Sequence, residues 1–323
     1  MTINNTKLFI SQKKYIFAVA IFTNRMNLNE LTHIFATEGG FDKCAIAECK
    51  KLDSYVHRLE SWLERGYAAD MDFLKRNCEK RYDPSLLVEN GRTIIVCLVS
   101  YNAPKTDSNV ARYARFPDYH YTVRNMLVQL KNKLQQHVEI NSARAFCDSA
   151  PVMERSWAAE TGLGWIGRNG MLVNQELGSF TIIGSLIIDA QIEPDAVAIH
   201  PNRCGNCARC VSACPTGAIQ PDRTIDANRC LAYHTIENRN EILQEIAANL
   251  GVSCFGCDIC QEVCPWNSKA KMTKNPNFLP HEYLCNINPD ELADLTDSEF
   301  KAKYRDSSFL RSGRVGLLKN FRK

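Results

Sequence analysis

Two cysteine runs constrain this chain more than any other feature. The first is Cys204-x2-Cys207-x2-Cys210-x3-Cys214-Pro215, and the second is Cys254-x2-Cys257-x2-Cys260-x3-Cys264-Pro265. In this bacterial ferredoxin spacing a tight loop aims three thiolates at one [4Fe-4S] cluster. The fourth, just before the proline, ligates the other cluster. Two such runs predict two clusters held close together and a flow of single electrons. A zinc ribbon wants two pairs of cysteines, not two runs of four. A disulfide framework belongs to small secreted chains, and this chain has 323 residues.

Two cubanes need eight thiolates, and Cys230 is a ninth in the same region. Ferredoxin logic assigns Cys204, Cys207, Cys210 and Cys264 to the first cluster. It assigns Cys214, Cys254, Cys257 and Cys260 to the second, although Cys230 could replace Cys254. Spacing favours Cys254, which completes the CxxCxxC loop. Cys44, Cys49, Cys78, Cys97, Cys147 and Cys285 lack ligand spacing and read as small buried hydrophobes.

Hydrophobic residues make up 45% of the chain and charged residues 23%, an ordinary globular balance. A net charge of +3 does not by itself indicate a nucleic-acid partner. Tyr15–Phe22, Ile94–Ser100 and Thr181–Ile188 are the longest apolar stretches, and none reaches the roughly 20 residues of a membrane span. Lys13-Lys14 before Tyr15–Phe22 faintly suggests a signal peptide, but Thr23-Asn24-Arg25-Met26 supplies no small-residue cleavage site. A first strand or an unstructured leader fits better, and the compartment expected is the reducing cytoplasm, where thiolates persist.

Residues 28–77 read mostly as helix, with Leu52, Val56, Leu59 and Leu63 on one face and Gly66 at the end. Residues 93–100 are a continuous β-rich run and predict a buried strand. Helix is expected over 119–138 and 152–161. Strands are expected over 143–148, 171–174 and 179–188, the last two joined by a turn at 176–178. This alternation argues an α/β or α+β domain ending near residue 195. The cysteine region follows, interrupted by a helical insert near 227–249, and 269–323 reads as a polar, basic tail.

The chemistry that two clusters feed must lie in the first 195 residues. The densest candidate stretch runs from Phe146-Cys147-Asp148-Ser149-Ala150-Pro151 to Arg155 and on to Gly162-Leu163-Gly164-Trp165-Ile166-Gly167-Arg168-Asn169. Asp148 follows a strand and precedes a turn, so it is either a helix cap or an acid at a cavity mouth. The glycines come after a helix, the wrong order for a dinucleotide fingerprint. They suit close approach of the backbone to a large flat ligand.

Longer blocks carry a family resemblance. They are Asp148 through Arg155, Gly162 through Gly167, Glu176-Leu177-Gly178-Ser179-Phe180, Cys204 through Ile219, Cys230 through Glu237, and Gly256 through Asn267. Gly66-Tyr67, Met71-Asp72-Phe73-Leu74, Arg81-Tyr82-Asp83-Pro84 and Asp118-Tyr119-His120 add to them. From about residue 28 to about 320 the chain resembles the epoxyqueuosine reductases, cobalamin-dependent enzymes of tRNA queuosine maturation.

The resemblance implies an α/β (α+β) cobalamin-binding catalytic domain over 28–195, next to a ferredoxin-like domain with two [4Fe-4S] clusters over 196–268. A leader over 1–27 and a short basic tail over 269–323, a candidate tRNA contact, complete the expected organisation. Electrons would pass through the clusters to cobalamin, and the epoxide of epoxyqueuosine in the tRNA anticodon loop would be reduced to queuosine. Asp148 matches the family's catalytic acid. Arg81, Asp148, Arg155 and Asn169 are carried over as cobalamin contacts. Cys230 matches a family ligand position, so the resemblance assigns the second cluster to Cys214, Cys230, Cys257 and Cys260. Asp148 is expected near the corrin, partly desolvated by it and by Trp165 or other apolar neighbours. The partners implied are tRNA carrying epoxyqueuosine and an unidentified electron donor, with no membrane and a monomeric state.

Many family members continue into helical repeats that grip tRNA, whereas this sequence stops at Lys323. The cations Lys301, Lys303, Arg305, Arg311, Arg314, Lys319, Arg322 and Lys323 are suited to phosphates, although charge runs usually serve only to solvate a surface. A corrinoid reductive dehalogenase and a ferredoxin-type electron carrier are the alternatives. The first usually carries a twin-arginine export signal, not visible here. The second leaves about 200 N-terminal residues without a role.

Overall fold

The structure is a computed structural model that describes residues 26–321. The leader expected over 1–27 lies outside the described residues except for Met26 and Asn27, and so do Arg322 and Lys323.

The centre is a four-stranded sheet of β1 (Lys43–Glu48), β2 (Thr93–Ser100), β3 (Ala143–Phe146) and β6 (Thr181–Ile188), in the order β1-β2-β6-β3. Every pairing is antiparallel, which makes the mixed α/β fold an α+β arrangement. All eight residues of β2 are buried. Ile95, Cys97 and Val99 enter one core with Val123, Leu127 and Leu130 of α4 (Tyr119–Leu134). Ile94, Val96 and Leu98 enter the opposite core with Trp157 and Ala158 of α5 (Glu154–Glu160). Burial on both faces is why β2 reads as an unbroken apolar run instead of an alternation. Gly184 of β6 lies under α4, where a Cβ would come within 2.6 Å of Val123.

Residues 28–77 are helical over about half their length, as expected, but a strand, β1, interrupts them. α1 (Leu28–Glu38) and α2 (Asp53–Glu64) flank β1. Only Ala45 and Ile46 of β1 are buried, so its pattern is weak, and residue-by-residue pairing with β2, Cys44 opposite Cys97, decides its conformation. β5 (Leu172–Val173) pairs with β4 (Trp165–Ile166), inside the glycine-rich segment, whereas β6 joins the central sheet.

The cysteine region carries short helices: α6 (Arg209–Ala213), α7 (Leu231–Ile236), α8 (Gln244–Ala247) and α9 (Ile259–Glu262). The segment beyond residue 269 is not simply a polar tail. Leu284, Ile287, Leu292, Phe300, Tyr304, Phe309 and Leu317 form a core with Val110, Ala114, Cys254 and Phe255. Its cations are largely engaged within the protein. Lys303 pairs with Glu291, Arg305 with Asp306, Arg311 with Glu237 and Arg314 with Asp297. Lys319 Nζ donates to the carbonyl of Asn238 at 2.6 Å. Phe309 is fully buried, so Phe309→Ala should destabilise the protein by about 3–5 kcal/mol. Anaerobic thermal unfolding measures this, and an unchanged midpoint contradicts a structural role for the segment. Among the described residues no helix is long and apolar enough to cross a membrane.

Candidate active site

Asp148 stands just past the end of β3 with φ +49°, a left-handed conformation uncommon for a non-glycine residue. Its side chain is 67% exposed. Oδ2 accepts a 2.7 Å hydrogen bond from the Tyr119 hydroxyl and lies 3.9 Å from His120 Nε2. Both partners sit in the first turn of α4, whose cap is Asp118. Asp118 accepts from the His120 N–H at 3.0 Å and from His120 Nδ1 at 2.6 Å. Burial pushes the Asp118 carboxyl up, but these bonds from His120 outweigh it and hold the group below its ordinary range. Burial, then the charge of Asp148, pushes the Tyr119 hydroxyl well up, so it stays protonated and donates. Tyr119 is one of the apolar neighbours expected around Asp148. Trp165 packs edge-on against Trp266 at 4.9 Å, and Tyr119 is the aromatic group at Asp148.

Glu154, the first residue of α5, accepts the Asp148 backbone N–H at 2.7 Å. Burial, then the negative charge of Asp148, pushes its carboxyl up to about 8, against the opposing charge of Arg155. Between the ordinary value of about 4.5 and about 8 the folded state keeps a proton that the unfolded chain has released. Stability is therefore lost as pH rises through this window. Glu154→Gln should flatten that decline, as read from anaerobic unfolding midpoints at pH 5 to 9. An unaltered pH profile contradicts the perturbed carboxyl.

The other expected ligand contacts each have partners of their own. Arg81 is 9% exposed and donates to the Phe73 carbonyl at 3.3 Å, while its Nε has no protein partner. Burial lowers its pKa. Arg155 donates to the Gly170 carbonyl at 2.7 Å. Asn169 Nδ2 lies 3.4 Å from the Cys260 carbonyl. The glycines serve close packing of the chain on itself. A Cβ on Gly164 would lie 2.3 Å from the Val173 carbonyl oxygen, and one on Gly162 3.1 Å from Val197.

The ligand-spaced thiols lie close enough to act on one another. Burial, then the charges of Cys204, Cys264 and Cys207, pushes the Cys210 thiol up. These four line a cavity of about 250 Å³ with Asn169 and Trp266. Burial pushes Cys257 up to about 12, with Cys230 and Cys214 adding to it. Burial, then Cys257, Cys230 and Cys210, raises Cys260. Cys214 is lowered. Burial opposes this, but the N–H of Ala218 at 3.3 Å and the Thr216 hydroxyl favour its thiolate. Among the described residues no group of His, Cys, Asp or Glu closes around a single metal ion. Cys254 is apart. It is fully buried in the apolar core with Phe255 and Phe309, and burial alone pushes it up to about 12, with no neighbouring thiol acting on it. Of the cysteines without ligand spacing, Cys49, Cys97 and Cys147 are buried, while Cys44, Cys78 and Cys285 are half-buried.

Comparisons with known proteins identify the family and the double-cluster domain. The family described as epoxyqueuosine reductase QueG, DUF1730, matches residues 81–149. A 4Fe-4S double cluster binding domain matches residues 203–267. The epoxyqueuosine reductase of Cellulophaga algicola is 36% identical over 287 residues, covering 87% of this chain and 92% of the relative. That of Synechocystis sp. is 37% identical over 276 residues, covering 83% and 94%. The Streptococcus thermophilus epoxyqueuosine reductase structure superposes with a TM-score of 0.82 at 27% identity, covering 91% of this chain and 80% of the other. An epoxyqueuosine reductase solved with an epoxyqueuosine-modified tRNA-Tyr stem loop gives a TM-score of 0.82 at 27% identity, covering 91% and 79%. The Bacillus subtilis enzyme, solved with its catalytic aspartate loop swung out of the active site, gives 0.81 at 26%, covering 91% and 79%. On this evidence the chain belongs to the epoxyqueuosine reductase family of oxidoreductases.

Proposed function

We propose that this chain reduces epoxyqueuosine to queuosine in a tRNA anticodon loop, with Asp148 as the proton donor. The observation that carries the reading is Asp148 itself, an exposed carboxylate at a strand end, hydrogen-bonded to a protonated tyrosine. Removing an epoxide oxygen to leave an alkene consumes two electrons and two protons and releases water. When bound, the clusters relay single electrons and cobalamin supplies a reducible cobalt. The oxygen leaves poorly as an alkoxide, so a positioned acid that protonates it lowers the barrier. Tyr119 orients the Asp148 carboxyl. His120, braced by Asp118, lies close enough to assist its reprotonation. The catalytic aspartate loop of the Bacillus subtilis relative supports this role for Asp148.

The residues present fit the cofactors. The Arg81 guanidinium is buried with an unpartnered Nε, the kind of donor that an amide- and phosphate-bearing corrinoid satisfies. Arg155, Asn169 and Asp148 complete the proposed cobalamin contacts. Cys204, Cys207, Cys210 and Cys264 hold one cluster. Cys214, Cys230, Cys257 and Cys260 hold the other. The working division is a leader over 1–27, a cobalamin-binding catalytic domain over 28–195, a ferredoxin-like domain over 196–268 and a C-terminal segment over 269–323. The protein acts as a monomer in the reducing cytoplasm, fed by a separate electron donor. Its grip on tRNA draws on phosphate contacts, and the epoxyqueuosine reductase solved with a modified stem loop supports that substrate. Among the described residues after 300, Lys303, Arg305, Arg311 and Arg314 are paired internally, so the face around the corrin pocket shares that grip.

The test is anaerobic turnover. Purified protein with both clusters, cobalamin, a chemical reductant and epoxyqueuosine tRNA should yield queuosine on nucleoside mass spectrometry. No queuosine from protein that retains its iron and binds corrin overturns the reading.

A further inference from the structure

The hydrogen bond from the Asp148 backbone to Glu154 has no part in delivering a proton, yet it fixes the residue that does. Asp148 is held at φ +49°, a conformation that persists only when its surroundings determine it. Its carboxyl is mostly exposed and tied at one point, to the Tyr119 hydroxyl. Its N–H is tied at one other point, to Glu154 Oε1 at 2.7 Å. Glu154 begins α5, and that helix is anchored by the buried Trp157, Ala158 and Ala159. On the other side Cys147 is fully buried. Asp148 is thus the first exposed residue between two fixed ends, and Glu154 is the side chain that ties its backbone to the anchored helix.

We propose that Glu154 is a positioning residue, a latch that holds the Asp148 segment in its proton-delivering place. The proposal rests on the reading of Asp148 as the acid. Without the latch the φ +49° conformation loses a compensating bond and the segment 147–153 samples other positions. A displacement of about 1 Å at a reacting group costs about 100-fold in rate. What the latch requires is an acceptor oxygen at that place. Glu154→Gln keeps that oxygen, and Glu154→Ala removes it.

Hydrogen exchange read by mass spectrometry on the cluster-loaded protein tests this without turnover. Glu154→Ala should speed exchange in the peptide spanning Cys147–Met153 and leave β2 unchanged, and Glu154→Gln should stay close to wild type. In turnover, Glu154→Ala should lower kcat by roughly 10- to 100-fold with little change in KM for tRNA, and Glu154→Gln should restore most of it. If Glu154→Ala does not fold, Glu154→Asp, one methylene shorter, takes its place. Unchanged exchange in the shortened variant overturns the latch, and so does a glutamine variant as impaired as the alanine. Asp148→Asn run alongside separates the two readings. Full turnover there removes the acid role, while the exchange result still decides the latch.

Discussion

Asp148→Asn should retain both clusters and bind cobalamin, yet lose turnover by roughly 100-fold or more, the usual scale for a general acid. The amide keeps the size of the carboxyl, and its oxygen can still accept from Tyr119, so orientation survives while the transferable proton does not. Tyr119→Phe should cost less, because it removes the hydroxyl that orients Asp148 and leaves the acid in place. The order of the two losses carries the argument. A tyrosine variant more damaged than the asparagine variant makes Tyr119 the donor and Asp148 its orienting partner. Iron content and corrin absorbance, measured on the same preparations, separate lost chemistry from lost cofactor. Wild-type turnover by the asparagine variant would falsify the proton-donor role.

The sequence revealed these parts unequally, for physical reasons. β2 was legible because burial on both faces leaves an unbroken apolar run, and α4 because sixteen residues keep a helical stripe. β1 was not, since two buried residues make no pattern and its partner strand lies about fifty residues away. The C-terminal core was hidden for a related reason. Leu284, Leu292, Phe300 and Leu317 come from helices of seven residues or fewer, too short to show a period. Asp148 stood out as a strand-end carboxylate in a family block. Asp118-Tyr119-His120 carried the same family likeness, but nothing local places it at the site. Tyr119 reaches Asp148 across 29 residues of sequence, through the packing of a helix start against a strand end. Glu154 was passed over because a glutamate in a helix's first turn is usually explained by the helix dipole.

The thiols show most sharply where spacing stops being sufficient, and they yield the other large expected effect. Cys254 completes a CxxCxxC loop on paper, whereas Cys230 is the thiol that acts on Cys257 and Cys260. Cys230 lies with Cys214, whose charge acts on it, and both act on Cys257. The Cys254 backbone N–H donates to the Asn109 carbonyl at 2.8 Å, and its own carbonyl accepts from Asn320 Nδ2 at 2.7 Å. Those bonds fix its backbone in the apolar core that also holds Phe255 and Phe309. Wild-type protein reconstituted anaerobically should hold about eight irons per chain. Cys230→Ala should lose up to about half of that iron and, with one cluster gone, nearly all reductant-driven turnover, because the relay is broken. Cys254→Ala should keep its iron and show only the modest destabilisation of a small cavity, no more than about 1–2 kcal/mol. Iron and sulfide analysis with electron paramagnetic resonance of the reduced proteins distinguishes the two. Iron loss confined to the Cys254 variant would return the second cluster to the plain ferredoxin assignment and leave Cys230 a half-buried free thiol.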